Sequence, residues 1–120
     1  GNGIEENIQI AKWLKDVGVD MIDCSGGGAT PKARASIGER TSDQVGLAGE
    51  LRAATGITTM AVGYITEAVQ ANNLIKSGTC DITLLGRQLL REPYWPIHAA
   101  QILGEDPKPH MPIQYHVVAS

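Results

Sequence analysis

Phenylalanine is absent from the 120 residues, and two tryptophans and three tyrosines supply all the aromatic bulk. A core must therefore come from Ile, Leu, Val, Ala and Met, a set that suits strands lying beneath helices. Cysteine is nearly as scarce. Cys24 and Cys80 both fall at strand positions, too few for a disulfide framework or a metal site, and read as reduced, buried thiols of a cytoplasmic protein. Positive charge is not in excess either. A formal net charge of −3 gives no basis for binding nucleic acid or an anionic membrane. The apolar runs, such as Ile82 to Leu85, fall far short of the roughly 20 residues of a membrane span. The opening stretch, Gly1-Asn2-Gly3-Ile4-Glu5-Glu6, is polar and acidic, so no signal peptide is expected.

What the chain does have is a rhythm. Three times a helical stretch runs into a glycine and then a short apolar strand: WLKDV-Gly18-VDMIDCS, LRAAT-Gly56-ITTMAVG and LIKS-Gly78-TCDITLLGR. Helix, glycine stop and buried strand, repeated, make the unit of a parallel α/β fold. A complete (β/α)8 barrel needs about 250 residues, so three such units predict a partial barrel: a piece of a larger enzyme, or a chain that closes its sheet by association.

The pattern can be followed element by element. Asn2 is placed to cap a first helix whose apolar stripe is Ile8, Ala11, Leu14 and Val17, joined by Ile10 and Trp13, with Lys12 and Lys15 in solvent. Strands are predicted at Val19 to Ser25, Ile57 to Gly63 and Cys80 to Leu85. Between the first two, an irregular loop from Gly26 to about Ser42 carries Lys32, Arg34 and Arg40, and a helix follows from Asp43 to Thr55. Thr66 is expected to cap the third helix. A helical turn at Arg87 to Arg91 precedes a last helix with Pro96 in its first turn. Residues 1–103 form the barrel part, and 104–120, with Pro107, Pro109 and Pro112, form an extended arm.

The chemistry gathers at the strand ends. Glycine there lets a phosphate approach the backbone, and an arginine beside it can grip the phosphate in a two-pronged fork. In (β/α)8 barrels the phosphate site commonly follows the last two strands. Val62-Gly63 and Gly86-Arg87 occupy those positions. Each has a plainer alternative: a tight turn for Gly63, and for Arg87 a surface pairing with Glu92 or solvent.

AKWLKDVGVDMIDCSGGG, AVGYIT and DITLLGRQLLREPYWPIHAA together resemble the C-terminal part of the old yellow enzyme family, in its bacterial NADPH dehydrogenase branch. The resemblance runs from Glu6 to about Leu103 and implies strands six to eight of a (β/α)8 barrel that binds flavin mononucleotide (FMN). NADPH is then the reductant, and an activated alkene such as an enone the substrate. It assigns the FMN phosphate to Val62, Gly63, Gly86 and Arg87, with Ser25, Gly26 and Gly27 bordering the ribityl chain or phosphate. The family's catalytic residues lie upstream, so no residue here is assigned as catalytic. The implied partners are the missing N-terminal half of the barrel and further copies of the same chain, in a homo-oligomer.

Two stretches depart from the family. Gly38 to Gln44 replaces a usual Gly-Tyr-Gln, and Gln114-Tyr115 is followed by His116-Val117-Val118 rather than by a tail arginine. The competing function is a non-catalytic half-barrel that assembles with itself. A flavin-dependent dehydrogenase of nucleotide precursors shares the Gly-Arg logic but fits SGGG and GRQLLREPYW less well.

Overall fold

The computed structural model describes residues 3–25 and 43–119. Helix α1 (Ile4–Asp16), strand β1 (Met21–Cys24), helix α2 (Asp43–Thr55), strand β2 (Thr58–Val62), helix α3 (Ala68–Lys76) and strand β3 (Ile82–Leu84) follow in order. Then come the short helix α4 (Arg87–Arg91) and helix α5 (Trp95–Ile102). The predicted rhythm is present, with each strand shorter than the sequence pattern drew it. All three strands are parallel in the order β1-β2-β3, with Met21 opposite Thr58 and Val62 opposite Leu84. The fold is α/β. Among the described residues no helix is long and apolar enough to cross a membrane.

Glycine ends the helices as expected. At Gly78 the backbone enters the left-handed region, φ +76°, which side chains disfavour. The turn closes with the Thr79 N–H donating to Leu74 O at 3.0 Å, and the same stop recurs at Gly18 and Gly56. Helix starts differ from expectation. Gly3 caps α1, with the Glu6 carboxylate accepting its N–H, and Asn2 lies outside the described residues. Glu67, not Thr66, is the N-cap of α3. The Gln70 side chain accepts the N–H of Thr66 at 3.1 Å, so the capping oxygen comes from inside the helix.

The helices cover one face of the sheet. Ala11, Leu51 and Ile57 form one buried cluster against Ile22 and Cys24, and Ala48, Ala61 and Cys80 form a second. Burial of Leu51 or Ile57 contributes about 1.5–3 kcal/mol each. The alanines let α2 lie close on β2. Trp13 and Val17 leave the predicted stripe and stand 61% and 79% exposed. At 3.6 residues per turn they fall roughly 200° and 240° around α1 from the buried Ala11.

No described element covers the other face of the sheet. Strand side chains alternate between faces, so Met21 and Asp23 share a face with Thr58, Met60, Val62, Ile82 and Leu84 through the register. Met21 and Ile82 are exposed on it. Parallel sheets are normally covered on both faces.

The C-terminal arm is coiled rather than extended. Two 3-10 helices, Lys108–His110 and Ile113–Val118, return the chain so that Ala119 is buried and its carbonyl accepts from Gln101 Nε2 at 3.3 Å. Proline fixes φ at values that also start tight helical turns. Pro109 therefore bends the arm instead of straightening it.

An ion pair locks the α2–β3 corner. Arg52 Nε and Nη2 donate to the two Asp81 carboxylate oxygens at 3.0 and 3.1 Å, and Arg52 Nη1 donates to Gly78 O at 3.0 Å. Asp81 also accepts the Thr59 N–H at 3.0 Å. The Arg52 fork, then the Thr59 N–H, holds the Asp81 carboxyl below its ordinary value of 3.8. A depressed folded-state value contributes stability above the unfolded value that is lost as pH falls through the folded one. Melting temperature should accordingly drop below about pH 4. Asp81→Asn should melt lower at neutral pH and lose that part of the acid dependence; an unchanged acid limb in the variant would refute the assignment.

Candidate phosphate-binding site

Because Val62 and Leu84 are register partners, β2 and β3 end side by side, and the loops that follow them face each other. Between them lies a cavity of about 290 Å³ lined by Val62, Gly63, Tyr64, Gly86, Arg87, Gln88 and Arg91, among others. The four residues expected to hold a phosphate, Val62, Gly63, Gly86 and Arg87, thus meet in one place. The cavity's described lining includes two arginines and two amides, and no carboxylate. Such a donor set suits an anion.

The backbone after β2 is unusual. Gly63 has φ +135° and Tyr64 φ +50°, the latter the one positive φ at a non-glycine among the described residues. Left-handed backbone in a tyrosine is uncommon and costs free energy that surrounding contacts must offset. Ile65, buried at the next position, anchors the loop from below. The outcome is a Tyr64 ring under the guanidinium of Arg87, with Cζ 4.8 Å from the ring centroid. A cation over an aromatic face gains about 0.5–1 kcal/mol at exposed sites. Arg87 is exposed, and Glu92 is engaged by His98 Nδ1 rather than by Arg87. One turn on, Arg91 Nη1 donates to Gln88 Oε1 at 3.2 Å.

The remaining expected residues lie elsewhere. Ser25, exposed at the end of β1, lines a separate cavity of about 210 Å³ beneath α1 and α2, with Ile10, Leu14 and Leu47. Gly26 and Gly27 lie outside the described residues, as do Lys32, Arg34 and Arg40. Tyr64, Gln88 and Arg91 are site residues that sequence reasoning passed over. Their signals were present: an aromatic directly after the strand-end glycine, and a second arginine four residues after Arg87, on the same helical face. Neither thiol is in the described lining of the 290 Å³ cavity. Burial, then neighbouring Asp23, pushes Cys24 up, and burial, then Asp81, does the same for Cys80, so neither is a poised thiolate. Among the described residues no cluster of three metal-ligating side chains occurs.

The described residues form a parallel α/β unit with a cavity lined by arginines at adjacent strand ends, where (β/α)8 barrels commonly hold phosphate. Comparison with known proteins goes further. The chain is 41% identical over 115 residues to an NADPH dehydrogenase of Bacillus licheniformis, 96% of its own length and 32% of the relative's. It is 42% identical over 104 residues to one of Halalkalibacterium halodurans and 42% over 111 residues to one of Bacillus cytotoxicus. These relatives bear out the resemblance of its motifs to the C-terminal part of the old yellow enzyme family. The chain spans about a third of the length of the curated relatives it matches. No family model matches the chain.

Within the cavity lining, Gly63 has a positive φ that a side chain disfavours. Gly63→Ala should destabilise the fold by about 1–2 kcal/mol, the cost of left-handed backbone in an L-residue. Chemical denaturation measures it, and an unchanged midpoint would show that the loop does not need that conformation.

Proposed function

We propose that the chain forms strands six to eight of a (β/α)8 barrel and supplies the phosphate site for FMN in an NADPH-dependent ene-reductase acting on activated alkenes such as enones. The observation that carries this reading is the meeting of Gly63, Gly86, Arg87 and Arg91 around one cavity with no carboxylate in its described lining, in a chain 41% identical to an NADPH dehydrogenase. The barrel rule places a phosphate at this location, after the last two strands. The open sheet face supports it too, because side chains that fill a barrel interior are bare until the barrel closes.

In this reading Arg87 and Arg91 bind the phosphate dianion through charge-assisted hydrogen bonds, with Arg87 the bidentate partner. The backbone at Gly63 and Gly86 approaches it closely because no Cβ intervenes. FMN, when bound, carries the hydride chemistry; the part of this chain is to hold and orient the flavin's phosphate end. The flavin titration is made on the intact protein, with FMN and with riboflavin, which lacks the phosphate. Arg87→Ala should weaken FMN binding by about 2–3 kcal/mol and leave riboflavin unaffected. Equal affinity of variant and parent for FMN would sink the assignment.

The open face also favours a second reading, in which two copies of this chain close on each other as a half-barrel module without turnover. Exposed Met21 and Ile82 on a parallel sheet call for a cover. Sedimentation of the 120-residue chain decides: that reading requires a dimer at micromolar concentration, and a monomer rejects it.

A further inference from the structure

The Gly63–Tyr64 turn is held from outside the cavity. Gln70, on the first turn of α3, does not line the cavity, yet its side chain reaches back to three backbone groups of the loop. Its Oε1 accepts the N–H of Thr66 at 3.1 Å and of Glu67 at 3.4 Å, and its Nε2 donates to the carbonyl of Tyr64 at 3.2 Å. From the other side the Trp95 indole Nε1 donates to Thr66 O at 2.7 Å. The carbonyl of a residue at φ +50° is thereby fixed by a side chain rather than by strand pairing.

We infer that Gln70 is a positioning residue for the anion site, acting through Tyr64 on Arg87. The Nε2 donor stabilises the left-handed Tyr64 backbone. That backbone sets the ring beneath the Arg87 guanidinium, and the ring holds the guanidinium at the cavity. The two ends of the amide have separable duties. Oε1 caps helix α3, which any helix of this kind needs. Nε2 serves the Tyr64 carbonyl alone, and no helix needs that bond. The inference rests on the phosphate reading above.

Gln70→Glu separates the two duties, because a carboxylate keeps both acceptors for the Thr66 and Glu67 N–H groups and favours the helix N-terminus. It removes the donor to Tyr64 O and sets a negative oxygen against that carbonyl. The readout is the ratio of FMN to riboflavin affinity in the intact protein, alongside the melting temperature. The expected result is an unchanged melt and a ratio reduced about tenfold, the size of one lost hydrogen bond. In a Tyr64→Leu background, Gln70→Glu should reduce the ratio no further.

Several results would overturn the positioning role. One is an unchanged ratio in Gln70→Glu while Arg87→Ala lowers it, which leaves the phosphate site standing. Another is an undiminished effect in the Tyr64→Leu background. The third is an early melt, or equal loss of FMN and riboflavin, either of which assigns Gln70 to the fold. If Arg87→Ala itself leaves the ratio unchanged, the phosphate reading fails, and the positioning role fails with it.

Discussion

The carboxylate of Asp81 fixes the corner from which the rest of the structure is laid out. It accepts both prongs of Arg52 from α2 and the Thr59 N–H from β2, while its own N–H donates to Thr59 O at 3.0 Å. One residue at the start of β3 therefore sets the register of β3 on β2 and the seating of α2 above them. A slip of one residue would send every side chain of β3 to the opposite face and part Val62 from Leu84. The strand ends would no longer face each other, and the cavity between them would not form. A bidentate Arg–carboxylate pair supplies direction as well as attraction, which a hydrophobic contact at the same corner would lack. Nearby, the Thr59 hydroxyl is buried without a hydrogen-bond partner among the described residues. The backbone of Thr59 is fully engaged, and its hydroxyl is carried into the core with it.

Much of this was legible in the sequence because it depends on local rules. Gly18, Gly56 and Gly78 stop helices at a cost that only glycine avoids, so they mark boundaries wherever they occur in the rhythm. The span of α2 and of α4 followed from periodicity and from the flanking Gly86 and Pro93. Val62, Gly63, Gly86 and Arg87 were identifiable as a group because strand ends in a parallel sheet converge without any knowledge of the side chains between them. What was not legible depends on distance in space. Nothing in the sequence joins Arg52 to Asp81, 29 positions apart, or Trp95 to Thr66. Thr66 looked like a cap because threonine commonly is one; Gln70 took the role by reaching backwards, an arrangement set by the turn at Tyr64. The α1 stripe drew in Trp13 because apolar character was counted before angular position. The arm was read as straight because prolines were counted as breakers, while each also pre-sets a turn.

The two faces of the sheet divide the molecule into a finished side and an unfinished one. On the helix side, two buried clusters lie between the helices and the strands. On the other, Met21, Asp23 and Ile82 are exposed on one face that no described element covers. The cavity at the strand ends sits at the rim where the two sides meet. The loop that borders it is tied to the helix side by Gln70 and Trp95. A site built this way keeps its shape independently of whatever covers the bare face.

The core of this chain is made largely of alanine: Ala11, Ala48, Ala61, Ala68, Ala71 and Ala99 are all buried. Alanine has no rotamers to lose and leaves no slack for a larger neighbour. A methyl-lined interface can drift neither toward bulk, which would lift a helix off its strand, nor toward glycine, which would loosen the helix itself. Divergence in such a protein is channelled outward, to positions such as Trp13, Val17 and Val69, and the buried seam between α2 and β2 should be the slowest part of the molecule to change.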